Sequence, residues 1–111
     1  MKSYVELWKV KESWKSLSKE ERANYLSKLA PAIQHFAEKG VEVVGWGEND
    51  EETSKKADYD YFAIWNFPND ELVMEFENLV EEAGWYNYFE QVNICGKPTS
   101  PEEILGKLVE I

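Results

Sequence analysis

The sequence contains a single cysteine, Cys95, and a single histidine, His35. One thiol excludes a disulfide within the chain and fits a reducing, cytoplasmic setting. One imidazole leaves too little to build a His/Cys metal site and argues against a haem held by histidine, so no cofactor is expected. Basic residues are scarce: 12 Lys and Arg stand against 22 Asp and Glu, a formal charge of −10. Phosphates would be repelled rather than neutralised, which excludes DNA, RNA and an anionic membrane as partners. No apolar run approaches the roughly 18 residues of a membrane span, and Met1 to Glu6 form no apolar leader. Phosphate loops, nucleophile elbows and Cys-x-x-Cys pairs are all absent. The Gly45-Trp46-Gly47 triplet is no dinucleotide fingerprint, and Glu48, Asp50, Glu51 and Glu52 beside it would repel a phosphate.

What the chain does have is aromatics: 5 Trp, 6 Tyr and 5 Phe in 111 residues, a length that suits one domain spanning 1–111. Residues 4–10 alternate with period two and read as a strand. A loop over Ser13 to Ser18 contains Trp14. Ser18 and Glu21 form a capping box that opens a helix with Arg22, Tyr25, Leu26, Leu29, Ile33 and Phe36 at three- and four-residue steps. Pro31 falls inside that pattern, where an unkinked helix would lose about 3 kcal/mol. Gly40 suits a left-handed cap. Val41 to Glu48 read as a second strand, in which Gly45 and Gly47 suggest a bulge or a close backbone approach.

Tyr59 to Phe67 are apolar on both faces, as expected of a central strand covered on both sides. Asn69 and Asp70 open a second helix with Leu72, Val73, Phe76, Leu79, Val80 and Ala83 on one stripe, closed by Gly84. An aromatic turn over 85–89 leads into a strand over Glu90 to Cys95. Ser100, Pro101 and Glu103 then start a tail helix carrying Ile104, Leu105, Leu108 and Val109.

The resulting order, β-α-β-β-α-β plus a C-terminal helix, predicts an α+β ferredoxin-like antiparallel sheet with both helices on one face. Alternation assigns Tyr4, Trp8, Val44, Trp46, Tyr61 and Trp65 to the face away from the helices. So large an apolar patch requires a cover, and a second copy of the chain supplies one by two-fold pairing. Two sheets meeting face to face would make a dimeric α/β barrel lined by both subunits.

The segments YVELWKVK (Tyr4–Lys11), GVEVVGWGEND (Gly40–Asp50), DYDYFAIWNFP (Asp58–Pro68) and AGWYNYFEQVN (Ala83–Asn93) resemble a family of small, functionally uncharacterised bacterial proteins. That family is similar to the dimeric α/β-barrel superfamily, which includes cofactor-free antibiotic-biosynthesis monooxygenases, muconolactone isomerase and haem-binding chlorite dismutases. The resemblance implies a homodimeric barrel and brings no catalytic residues with it.

The candidate site is the expected barrel interior. Glu6 and Glu48 are the candidate acid/base residues, because a carboxyl among tryptophan rings loses hydration and keeps its proton to higher pH. Tyr61, Gln91 and Asn93 would orient a ligand, and Trp8, Trp46 and Trp65 would supply walls for a flat or apolar molecule, with Trp85, Tyr86 and Tyr88 as further rings. The plain alternatives are a Glu6 that pairs across a dimer and rings that only pack. His35 reads as a surface residue, Cys95 as an inert thiol, and the acids of 48–60 as a solvated loop without calcium-loop spacing. Two functions follow. One is a small-molecule-binding barrel, or a cofactor-independent enzyme of monooxygenase or isomerase type acting on an aromatic or apolar substrate. The other is a non-catalytic homodimeric module with a filled interior.

Overall fold

The computed structural model describes residues 1–111. Four strands form one antiparallel sheet: β1 (Lys2–Val10), β2 (Glu42–Glu48), β3 (Tyr61–Phe67) and β4 (Phe89–Gly96), in the order β2-β3-β1-β4. β3 is central, as its two-sided apolar pattern implies. Three helical segments join β1 to β2, namely α1 (Glu12–Lys15), α2 (Lys19–Leu26) and α3 (Leu29–Glu38). β3 is followed by α4 (Asp70–Glu82), a short turn of helix over Trp85–Asn87, β4 and the tail helix α5 (Pro101–Val109).

Local signals account for most boundaries. Ser18 and Glu21 make the reciprocal capping bonds, and Asn69 and Ser100 cap α4 and α5 through their side chains. Gly40 and Gly84 take φ of 94° and 73°, which L side chains adopt only under strain. The two glycines of β2 divide the two expected roles. Register slips between Val43 and Gly45, so the bulge lies there. At Gly47 a Cβ would come within 2.6 Å of the Phe62 ring, which makes this the close approach.

Two expectations change along the first crossover. Trp14 lies not in a loop but in α1, where it is buried against Tyr25, Tyr88 and Phe89. The long helix divides at Ser27–Lys28, so Pro31 stands in the first turn of α3, where an amide has no helical partner to lose.

The larger correction concerns the faces of the sheet. Strand partners share a face, and the register pairs Tyr4 with Trp65, Glu6 with Ala63 and Trp8 with Tyr61. That face packs under the helices: Tyr4 and Trp65 lie against Phe76 of α4, with ring centroids 5.6 and 5.2 Å apart, and Phe76 meets Phe36 of α3. The rings assigned to the open face therefore build the core beneath the helices. The open face instead carries Val5, Leu7, Phe62, Ile64, Val92 and Ile94, with Ile94 65% exposed. Both alternating sets are apolar, and residues nearly isotropic in polarity do not say which face the helices choose.

No residue of α5 is buried, and Val109 is 81% exposed. The radius of gyration, 16.2 Å, exceeds the roughly 13 Å of a compact chain this long, as a projecting tail requires.

Pro31→Ala is expected to change unfolding stability by less than about 1 kcal/mol in urea titration, because no interior helical bond is restored. A gain near 3 kcal/mol would place the proline inside a continuous helix instead.

Candidate functional site

Between the sheet and the helices lies an apolar recess of about 60 Å³, walled by Trp8, Trp46 and Trp65 of the strands, Phe36 and Phe76 of the helices, and Trp85. Leu29, Ile33, Leu79 and Val80 complete its roof. Glu6 is the one charged or polar residue among the 13 that line it. Trp8, Leu29, Trp46 and Trp85 also border a wider groove of about 320 Å³ that continues past Val10, Trp14, Tyr61 and Phe89. The site is thus a narrow inner recess joined to an outer groove.

Its floor is a hydrogen-bonded chain. The Trp65 indole Nε1–H donates to Glu6 Oε1 at 2.7 Å, and Gln91 Nε2 donates to Glu6 Oε2 at 2.8 Å. The same Gln91 amide donates to Asn93 Oδ1 at 2.8 Å, while its Oε1 accepts from Trp85 Nε1–H at 2.8 Å. Every polar atom of the Gln91 side chain is used, so its amide has one satisfactory orientation. Strand register assembles the chain: Glu6 stands opposite Asn93, and Trp8 opposite Gln91, all on the helix-facing side. Trp85 arrives from outside the sheet, placed by the left-handed Gly84 that ends α4.

Glu6 is 5% exposed, and burial raises its carboxyl above the ordinary carboxylate range. The bonds from Trp65 and Gln91 pull the other way and offset only part of that. No Lys, Arg or His forms an ion pair with it. A carboxyl held this way can give or accept a proton nearer neutrality than a solvated one. Beside it, Tyr4 donates to Glu77 at 2.8 Å, and burial pushes its hydroxyl far up. Tyr4 therefore serves as a neutral donor holding α4 to the sheet.

The structure brings together seven of the eight expected site residues. Glu6, Trp8, Trp46 and Trp65 line the recess, Tyr61 lines the groove, and Gln91 and Asn93 extend the polar chain. Glu48 is the exception, being exposed at the end of β2 and lining neither space. The location differs too: the residues meet between one sheet and its own helices, not inside a barrel between two subunits. Sequence reasoning missed the roof of α3 and α4, although the stripes containing Ile33, Phe36, Phe76 and Val80 were its visible signal. The other expectations lie apart from the recess. His35 Nε2 donates a 2.7 Å bond to the Glu75 carboxylate on the surface, Asp58 of the acidic loop pairs with Lys9, and Cys95 is exposed.

A family described as "Family of unknown function (DUF6616)" matches residues 1–111. No curated protein matches the chain. Among solved structures, the crystal structure of At3g17210 from Arabidopsis thaliana, obtained with ensemble refinement, is similar with a TM-score of 0.61. The likeness covers 90% of this chain and 97% of that one at 18% identity, which speaks to the fold alone.

The buried carboxyl makes a prediction about stability. Because Glu6 holds its proton above the ordinary value of 4.5, its contribution is complete below that pH and is lost as pH rises through the raised value. Glu6→Gln has no such titration. The stability of the wild type minus that of Glu6→Gln, from urea unfolding between about pH 4 and about pH 8, should therefore shrink with rising pH. A constant or growing difference would show a carboxylate ionised at no cost.

Proposed function

Since the chain belongs to the DUF6616 family of unknown function, we propose its role from the recess itself: it binds a small, mostly apolar or aromatic molecule between sheet and helices, and Glu6 handles a proton of that molecule. The observation that carries this reading is a buried carboxyl as the sole polar lining of an aromatic cavity, bonded only to neutral donors. Structural carboxyls are usually neutralised by a cation or left in water. Here the group is held by two neutral donors and borders the recess. The chemistry a carboxyl supplies is proton transfer: the neutral acid can donate to a ligand carbonyl, and the carboxylate can take a proton from a carbon made acidic by a neighbouring carbonyl. Gln91 and Trp65 would hold the carboxyl in place, and Trp8 and Trp46 would supply aromatic wall against the ligand.

The finer fold reading belongs here as well. The strand order β2-β3-β1-β4 with two helical crossovers supports a ferredoxin-like unit. The apolar open face, now defined by Val5, Leu7, Phe62, Ile64, Val92 and Ile94, supports pairing with a second copy into a barrel. The unpartnered stripe of α5 supports a tail that packs on that copy.

A neutral aromatic probe such as 2-naphthol should quench tryptophan fluorescence saturably. Ala32→Phe, which fills the recess from α3, should weaken binding at least about tenfold while near-ultraviolet circular dichroism stays native. Equal quenching in both proteins would remove the recess as the binding site.

Light scattering after size exclusion should give a dimer at micromolar concentration and a monomer for Ile94→Asp. Because each copy carries −10, dissociation at low salt should be reversed by added salt. A wild-type monomer at all salt concentrations would eliminate the paired sheets without touching the recess.

A further inference from the structure

Resting on the reading of the recess as a binding site, we propose that its natural ligand carries a positive charge: an organic cation, such as a substituted ammonium on an apolar body, whose charged head sits in the inner recess against Glu6 and the tryptophan faces. Three independent observations point there. The first is the company Glu6 keeps. Its partners are the Trp65 indole and the Gln91 amide, both neutral, and no cation of the chain reaches it. A buried carboxylate with no counter-ion is costly, and a cationic ligand in the adjoining space supplies what the fold leaves out.

The second is the kind of wall. Trp8 meets Trp46 at 5.3 Å and 73°, Trp46 meets Trp65 at 5.9 Å and 73°, and Trp8 meets Trp85 at 5.9 Å and 70°. Rings at such angles make a box rather than a stack. The in-plane N–H groups of Trp65 and Trp85 are already bonded to Glu6 and Gln91, so these rings leave no donor for an anion or a carbonyl. What these two rings offer the recess is π-surface, whose negative faces attract a cation. The body of the ligand would extend into the outer groove past Tyr61 and Phe89.

The third is the field of the whole chain. A net charge of −10 repels anions and draws cations toward the protein before any contact forms.

The test compares benzyltrimethylammonium with neopentylbenzene, its uncharged carbon isostere, by tryptophan fluorescence titration on the full chain. The cation should bind at least about tenfold tighter, an expected size for a desolvated cation beside aromatic faces and a carboxylate. Glu6→Gln should remove most of that preference. Should Glu6→Gln fold poorly, Trp46→Leu, at a ring 44% exposed and therefore tolerant of change, should also reduce the preference. Equal binding of the two probes, or tighter binding of the isostere, overturns the cationic ligand and leaves an apolar binding recess standing. A preference undiminished in both variants places the cation elsewhere and overturns the proposal as well. Loss of binding for both probes and for 2-naphthol would defeat the recess as a site altogether.

Discussion

Removing the carboxyl of Glu6 from water costs several kcal/mol in hydration, and the surrounding structure is organised around that cost. Two neutral donors meet it, one from the neighbouring strand β3 through Trp65 and one from β4 through Gln91. Gln91 is held in turn by Trp85, and Trp85 is delivered by the left-handed turn at Gly84. Both elements that flank β1 thus converge on one side chain. Deleting either donor would leave an unpaired acceptor in a dry site, a loss of about 1–3 kcal/mol.

The same arrangement explains why the aromatics are so numerous. The rings wall the recess beside the buried carboxyl and pack the layer next to it. Tyr4, Trp65, Phe36, Phe67 and Phe76 form the solid end of the layer, in mutual contact at 5.2 to 6.3 Å. Trp8, Trp46 and Trp85 form its hollow end. A second aromatic group, Trp14 with Tyr25, Tyr88 and Phe89, anchors α1 and α2, and the Tyr25 hydroxyl donates to the Ala83 carbonyl at the end of α4. The crossover that roofs the site is thereby tied to the turn that supplies Trp85. The proposed binding and proton handling would draw on the same layer of side chains as stability, so variants in it will seldom change one property alone.

Much of this could be read in advance where the signal is local. Capping residues, the glycines with positive φ, the bulge in β2 and the period of each stripe depend on neighbours a few residues apart, so Ser18, Asn69, Gly84 and Ser100 announce their elements. Glu6 announced itself too, as a carboxyl between Tyr4 and Trp8 on one strand face. Pro31 misled because periodicity continues across Ser27–Lys28, and a stripe shows which way side chains point, not whether the backbone bonds are continuous. Glu48 misled because it shares the alternation of β2 while lying at a strand end, where alternation no longer guarantees burial.

The amino-acid order by itself determined the strands, the order of elements outside the first crossover and the grouping of Glu6 with Trp8, Trp65, Gln91 and Asn93, because a period of two assigns residues to a common face whatever lies above it. Which face the helices cover was decided only in three dimensions. Val5, Leu7, Phe62 and Ile64 are as apolar as the set they alternate with, so hydropathy is balanced across the sheet. The balance is broken by volume: the large rings fill the deep space under α3 and α4, and the smaller side chains are left on the open face. That choice moved the candidate site from between two subunits to within one, and set a carboxyl at the floor of a cavity roofed by the chain's own helices.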